Sequence, residues 1–179
     1  AIRMNTIVWI FTGLLAVVFA ISGVLKATMS RARLIATGQT GIALVEAYDL
    51  DRTVDSKLAN ISTRGLVQTG DNVLIGGFIV LGESPASALL RATGPSLPLA
   101  GALADPTLEL HDSNGAIITS NDNWRSDQEA EITATGLAPG NDAESAIVAT
   151  LTAGSYTAIV RGSNSTTGIG LIEVYQLEN

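Results

Sequence analysis

The sequence contains no cysteine and a single histidine, His111, among its 179 residues. Without cysteine, the chain has no disulfide, no thiolate metal site and no cysteine nucleophile. A histidine-rich metal site needs more than one histidine, and no motif in the chain supplies the nucleophile and acid that a catalytic triad would need beside His111. We therefore expect a protein that is not an enzyme and carries no cofactor, and we expect His111 to be a surface residue beside a turn.

Basic residues are scarce outside the N-terminus. Residues 1–33 contain Arg3, Lys26, Arg31 and Arg33 and no acid, so all seventeen acids lie in the remainder with the other six of the ten bases. A domain this acidic repels a phosphate backbone. We therefore expect no nucleic-acid partner.

Charged residues are also missing from the 22 residues between Met4 and Leu25. As a helix with a rise of 1.5 Å per residue, this run is long enough to cross about 30 Å of hydrocarbon. The pattern predicts an N-terminal hydrophobic α-helix over residues 4–25 that enters a membrane or packs in an assembly. A cleaved signal peptide is the alternative, because Arg3 precedes the run and residues 18–20 resemble a cleavage site.

Small residues recur in this run at spacings of three, four and three: Gly13, Ala16, Ala20 and Gly23. On a helix they would form one stripe along which two backbones can approach closely, which is typical of helix association in lipid. The alternative is that glycine and alanine are simply common in membrane helices.

The rest of the chain has short alternating or apolar runs separated by Gly, Pro, Asn and Asp, which predicts an antiparallel β-sandwich of the jelly-roll or Ig-like kind. The predicted strands are residues 42–50, 57–64, 72–81, 86–93, 106–111, 116–120, 144–151, 155–161 and 169–177. Asn114-Gly115 indicates a hairpin. One short helix is predicted over residues 127–133, with Ser126 or Asp127 as its cap.

The last predicted strand occurs twice. Residues 40–51, TGIALVEAYDLD, match residues 167–178, TGIGLIEVYQLE, at seven of twelve positions. A lone strand cannot satisfy its own backbone amides, so we expect the first copy to pair with a sheet, within its own subunit or in a neighbour. The residues predicted to make this pairing are Ile42, Leu44, Val45 and Tyr48.

These patterns divide the chain into three parts: a hydrophobic helix over residues 1–30, the extra strand with its linker over residues 31–56, and the sandwich over residues 57–179. We expect the helix to anchor or polymerise the subunit and the sandwich to form its exposed part. The unpaired strand then adds to the edge of a sheet.

Acidic and amide side chains cluster around the predicted hairpin and helix: Asp105, Asp112, Asn114, Asn121, Asp122, Asn123, Asp127 and Glu129. Such oxygens suit Ca²⁺, and Asp112, Asn114, Asp122 and Asp127 are the candidate ligands. Turns favour the same residue types for backbone hydrogen bonds, which is the alternative. Trp124 is a candidate stacking platform for a sugar, with packing in the core or at its rim as the alternative.

Several segments resemble a known family: NISTRGLVQTGDNVLIGGFIVLG, LLRATGPSL, LADPTLELHDSNGAIITSNDNW and LTAGSYTAIVRG, together with the repeated strand. They resemble a β-repeat found in tandem near the C-termini of large secreted bacterial proteins and, more loosely, the pre-peptidase C-terminal domain. The resemblance implies an extracytoplasmic, non-catalytic β-sandwich. The N-terminal run is similar to a pilin in architecture only, because Asn5 stands where type IV pilins have Glu.

Together these observations predict a structural subunit, either of a pilin-like extracellular filament or attached to a larger membrane complex. Its expected partners are copies of itself or subunits of that complex, with the membrane reached through residues 4–25. The alternative is an adhesion module anchored to the cell surface that binds calcium or carbohydrate.

Overall fold

The computed structural model describes residues 19–21, 24–26 and 60–177. The chain divides into two units, Ala1–Lys57 and Leu58–Asn179. The division lies beside the boundary predicted at residue 57, whereas the further boundary at residue 30 falls outside the described residues.

The described part of the N-terminal unit is a small antiparallel β-sheet. Strand β1, Phe19–Ile21, pairs with β2, Val24–Lys26, and places Phe19 opposite Lys26. The helix predicted over residues 4–25 is therefore wrong for five of its residues, 19–21 and 24–25, and the rest of that prediction lies outside the described residues. Apolar residues such as Ile21 and Val24 suit a strand as well as a helix, so their composition alone does not decide between the two.

The second unit is a sandwich of two four-stranded antiparallel sheets, which confirms the mainly β prediction. Sheet I has the strand order β3-β10-β5-β8 and sheet II has the order β4-β9-β6-β7. The strands are β3 Asn60–Val67, β4 Leu74–Val80, β5 Ala86–Thr93, β6 Pro106–His111, β7 Ile117–Asn121, β8 Ser145–Leu151, β9 Gly154–Gly162 and β10 Gly168–Gln176.

Every connection in this unit crosses from one sheet to the other except the β6–β7 hairpin. This connectivity is typical of a jelly roll. The observed strands lie within three residues of the predicted ones, with the largest difference at β3, which was predicted over residues 57–64. The predicted strand 42–50 lies outside the described residues.

The main core fills the space between the sheets. Alternate residues of the strands point inward, as a half-buried sheet requires. The fully buried side chains of this core include Val67, Leu90, Leu103, Leu108, Leu110, Ile147, Val160 and Ile172. Because four strands contribute from each side, neither sheet can keep its apolar face from water without the other.

A second, smaller core lies on the outer face of sheet I, beneath the helix α1, Glu129–Ala134. Leu89 and Ala146 of the sheet pack there against Trp124 and Ile132. The N-cap of α1 is Gln128 and makes no side-chain capping bond. The predicted caps were therefore wrong, because the Ser126 hydroxyl and the Asp127 carboxylate bond each other and Asn121 instead.

Candidate assembly interface

The two sheets have four edge strands, β3 and β8 in sheet I and β4 and β7 in sheet II, and these edges differ in how well they are protected from pairing with another strand. The β8 edge is closed by side chains. The Gln128 amide donates to the Val148 carbonyl at 2.9 Å and accepts from the Val148 N–H at 3.0 Å. The Asn121 side-chain oxygen accepts from the Ala146 N–H at 3.1 Å. These amides occupy the positions at which another strand would bind.

The β3 and β7 edges are less suited to pairing. Strand β3 exposes Ser62, Thr63 and the charged Arg64 in its middle, with Ile61 and Leu66 exposed on either side of them. Strand β7 exposes Ile117 and Ile118, but its pairing with β6 is interrupted by an irregularity at Leu110/His111. Charged side chains and bulges are features that oppose the addition of a further strand.

The β4 edge lacks such protection within the part of the chain that the structure describes. Strand β4, sequence LIGGFIV, carries no charge and pairs with β9 in unbroken register from Leu74 to Val80. Its outward-facing Ile75 and Ile79 are 55% and 57% exposed, and Leu81 directly after the strand is 81% exposed. Such an edge is a template for strand pairing.

The inner face of β4 fixes this edge in place. The Phe78 ring stacks on Tyr156 of β9, with ring centroids 5.6 Å apart. Gly76 packs against the Ile172 side chain, because a Cβ at position 76 would lie 3.1 Å from its Cδ1. Gly77 faces outward between the two exposed isoleucines and leaves the backbone uncovered there. Strand β4 is therefore packed on its inner face and exposed on its outer face.

A polar cluster lies on the outer face of sheet I. Arg91 of β5 donates from Nε and Nη2 to Glu173 of β10 at 3.0 and 2.5 Å, and from Nη1 to the Leu137 carbonyl at 2.7 Å. The Tyr175 hydroxyl donates to Glu173 at 2.7 Å and accepts from Arg91 at 2.9 Å. Burial, followed by the bond to Glu173, raises the pKa of Tyr175. The cluster joins β5, β10 and the loop after α1.

Glu144 is a fully buried carboxylate held by neutral donors. It accepts hydrogen bonds from the backbone N–H groups of Gly94, Ser96 and Asn141, and from the Ser96 hydroxyl, at 2.9 to 3.2 Å. Buried charges persist where such bonds replace water. Its role is to fasten the turn after β5 to the start of β8.

Two of the candidate calcium ligands serve the β6–β7 turn. Asp112 accepts hydrogen bonds from the N–H groups of Asn114 and Ala116 at 2.8 and 2.9 Å, and these bonds lower the pKa of Asp112. Gly115 adopts a φ of 81° in the predicted hairpin. Asp112 and Asn114 therefore take part in hydrogen bonds within the β6–β7 turn, which is the alternative to calcium binding given above.

The other two candidates lie at the far end of β7, which by its five residues is about 16 Å long. Asp127 accepts from Asn121 and Ser126. Burial and the neighbouring Asp105 carboxylate raise the pKa of Asp122, and the Asp105 Oδ1 atom is buried without a hydrogen-bond partner. The fold does not gather the four candidates into one site, and residues 60–177 hold no group of three or more acids or histidines spaced for a metal.

His111 is partly exposed beside the β6–β7 turn, whereas Trp124 is buried. The His111 side chain is 12% exposed, with Nδ1 3.0 Å from the Gly115 carbonyl and Nε2 3.0 Å from Glu109. The bond to Gly115, and then that to Glu109, raises the pKa of His111. Trp124 is buried below α1, with the Arg125 guanidinium 4.1 Å from its ring centroid, so its ring is not a platform for sugar.

The remaining predicted residues fall in or near the undescribed part of the chain. Ala20 lies in β1, so the predicted helical stripe does not include it, and Gly13, Ala16 and Gly23 are outside the described residues. The same holds for Ile42, Leu44, Val45 and Tyr48. Sequence reasoning missed Ile75, Ile79 and Leu81, for which the signal was present: LIGGFIVLG is a predicted strand without any charge.

The likeness of this chain to known proteins is limited to solved structures. No protein-family model and no curated protein matches the sequence. Among solved structures, the chain is similar to the pre-peptidase C-terminal domain of collagenase from Bacillus anthracis. The sequence identity is 14% and the TM-score is 0.42, with 64% of this chain and 88% of that chain covered. This agrees with the loose resemblance predicted from the sequence.

Proposed function

We propose that this protein is a non-enzymatic structural module of the cell surface or extracellular space that assembles with a second copy of itself through the β4 edge. The supporting observation is that the β8 edge is protected from strand pairing and the β4 edge is not. The β8 edge is closed by Gln128 and Asn121, whereas β4 is regular, uncharged and lined by exposed Ile75 and Ile79. Proteins that remain monomeric protect their edges, so an edge of this kind favours pairing.

A second copy fits this edge by symmetry. Ile75 and Ile79 lie two residues on either side of Gly77. If two β4 strands pair antiparallel about a two-fold axis at Gly77, Ile75 of each copy faces Ile79 of the other. The same patch then serves both partners, as a two-fold interface requires. The pairing would also join the two copies of sheet II into one sheet of eight strands.

The described polar groups support a structural role rather than catalysis. The His111 ring nitrogens are both engaged in the hairpin, and Glu144 is enclosed by four donors. A depression of about 140 Å³ beside Arg161 and Gly70 is smaller than the roughly 300–1,000 Å³ of small-molecule sites, and Arg161 is itself bonded to the Gly70 carbonyl.

The wider setting of the module follows from the sequence. The resemblance to repeats of secreted bacterial proteins favours an extracytoplasmic location, either in a filament or on a larger membrane complex. No helix in residues 19–21, 24–26 and 60–177 is long and apolar enough to span a membrane.

The test is sedimentation of the 179-residue chain in mild detergent, which keeps the apolar N-terminal run in solution. We expect the wild type to form a dimer and Ile79→Lys to shift its dissociation constant at least tenfold towards monomer. The matched control is Ile117→Lys on the β7 edge, which is equally exposed at 59% and should leave the dimer intact. Equal behaviour of the two variants, or a monomeric wild type, would overturn the proposal.

The alternative function, binding of calcium by an adhesion module, has one supporting observation. Asp105 and Asp122 lie close together, and the unpartnered Asp105 Oδ1 is a free oxygen ligand. A calcium site there predicts a melting temperature that rises with millimolar Ca²⁺ in the wild type but not in Asp122→Asn. If calcium leaves the wild-type melting temperature unchanged, this alternative is eliminated.

A further inference from the structure

The β3 and β4 edges lie on the same side of the sandwich. Strand β3 ends sheet I and β4 ends sheet II, and the two strands are in contact. The opposite side is formed by β8 and β7, which also contact each other. A partner that pairs with β4 therefore approaches β3 as well, because both edges face the same way.

The main core is only partly covered on this side. The apolar side chains that β4 turns inward are half-buried, and two β3 residues with the parity of the buried Val67 are exposed. In the middle of sheet II, by contrast, Leu108 and Leu110 are fully buried. The partly covered residues, which we call the β3–β4 seam, are Ile61, Thr63, Leu74, Phe78 and Val80.

The β4 edge alone is small for a stable interface. Specific protein–protein interfaces take roughly 20–30 residues from each partner. Strand β4 has seven residues. A second copy held by β4 therefore needs further contacts beside that strand. The β3–β4 seam supplies them, because it adjoins the edge and most of its side chains are apolar.

The register between the two strands places β3 near the two-fold axis proposed for β4. A Cβ at Gly65 would lie 3.1 Å from Cδ1 of Leu74, so position 65 lies over position 74. The connection over residues 68–73 reverses the chain direction between the strands. Three residues further along β4 is Gly77, and three residues back along β3 is Ser62. An axis perpendicular to the sheet at Gly77 therefore passes near Ser62.

Charge does not oppose the approach of two β3 edges about this axis. Residues 60–63 carry no charge. Arg64 lies two residues from Ser62, so the Arg64 positions of two copies would be four residues, or about 13 Å, apart along the strands. This separation exceeds the screening length of about 8 Å at physiological salt. Arg64 makes β3 a poor template by itself, but it does not prevent contact beside a β4 pair.

We propose that the second copy covers the β3–β4 seam together with the β4 edge. Ile61 and Thr63 of each copy then pack against those of the other, and the two main cores become one continuous apolar core. This inference rests on the proposed function, because the pairing of β4 sets the axis. It goes further in making both sheets, and not sheet II alone, part of the interface.

Single-cysteine variants of the 179-residue chain in mild detergent test the seam, since the chain has no cysteine of its own. Ser62→Cys places the thiols of two copies near the axis, and we expect a short bifunctional thiol reagent to link the two chains. Leu66→Cys is the matched control. Leu66 is also exposed but lies four residues from Ser62, so two thiols there would be about 27 Å apart. Adding Ile79→Lys to Ser62→Cys should abolish the link together with the dimer.

A charge placed in the seam gives a second measurement. Thr63 is already exposed, so Thr63→Lys should leave the fold intact. It should weaken the dimer at least about tenfold, because two ammonium groups would lie among apolar side chains, whereas Leu66→Lys should not.

The outcomes separate this inference from the proposed function. If Ile79→Lys dissociates the dimer but Ser62→Cys links no better than Leu66→Cys, the seam lies outside the interface and only the proposed function stands. Equal dissociation constants for Thr63→Lys and Leu66→Lys in such a dimer would also overturn the seam. A monomeric wild type would overturn both proposals.

Discussion

The side-chain amide of Gln128 makes both of the hydrogen bonds to Val148 that a neighbouring strand would make. One amide thus closes the β8 edge of sheet I at its centre, next to the bond from Ala146 to Asn121. The molecule leaves β4 open on the other sheet. This difference between edges is the physical basis for the assembly that we propose.

Replacing Gln128 with Ala should destabilise the sandwich. The change leaves the N–H and the carbonyl of Val148 without partners, which costs about 1–2 kcal/mol of unfolding free energy. Gln128 makes no side-chain capping bond to α1, but its amide also donates to the Glu131 carboxylate at 3.1 Å, so only the loss beyond that of Glu131→Ala reports on the edge. Urea denaturation measures it, with the exposed Glu131→Ala as control. A loss equal to that of the control would show that water replaces the amide.

Replacing Arg91 with Met should cost roughly 2–3 kcal/mol of stability, because the change leaves Glu173, which is 12% exposed, without its cation. Arg91→Lys should recover only part of this loss, since one ammonium group cannot contact Glu173, Tyr175 and the Leu137 carbonyl together. Thermal denaturation of both variants measures the difference. Full recovery by lysine would contradict the geometric role assigned to the guanidinium.

Replacing Glu144 with Gln should lower the unfolding free energy by about 2–3 kcal/mol although the side-chain volume is unchanged. The carboxylate accepts four hydrogen bonds, and an amide presents an NH₂ group to donors that then have no acceptor. The matched control is Glu129→Gln on the exposed helix surface, which should change stability little. Similar stabilities of the two variants would contradict this account.

The stability that His111 contributes should depend on pH. Its hydrogen bonds to the Gly115 carbonyl and to Glu109 favour the protonated ring, so its pKa is raised above the ordinary 6.5 in the folded state. A raised pKa stabilises the fold fully below 6.5, and the contribution is lost as the pH rises through the folded value. The difference in melting temperature between wild type and His111→Asn should therefore be larger at pH 5.5 than at pH 8.5. A difference independent of pH, or an NMR titration at or below 6.5, would refute it.

The elements of the sandwich were largely predictable from the sequence, because strands and turns depend on local patterns. Alternating residues such as those of β9 and the Asn114-Gly115 pair predict a strand and a hairpin wherever they occur. Local patterns did not predict the secondary structure of the hydrophobic run near the N-terminus correctly. Its residues suit both helix and strand, and the structure has strands at Phe19–Ile21 and Val24–Lys26.

The sequence by itself determined the mainly β fold, the positions of its strands and the existence of two copies of the last strand. Only the tertiary structure decided which strands are neighbours, and that choice sets the functional surfaces. It placed β10 between β3 and β5, closed β8 with Gln128, left β4 at an edge and buried Glu144. These outcomes depend on contacts between residues far apart in the chain. A local sequence pattern predicts a strand or a turn, but it does not specify which distant segment that strand contacts.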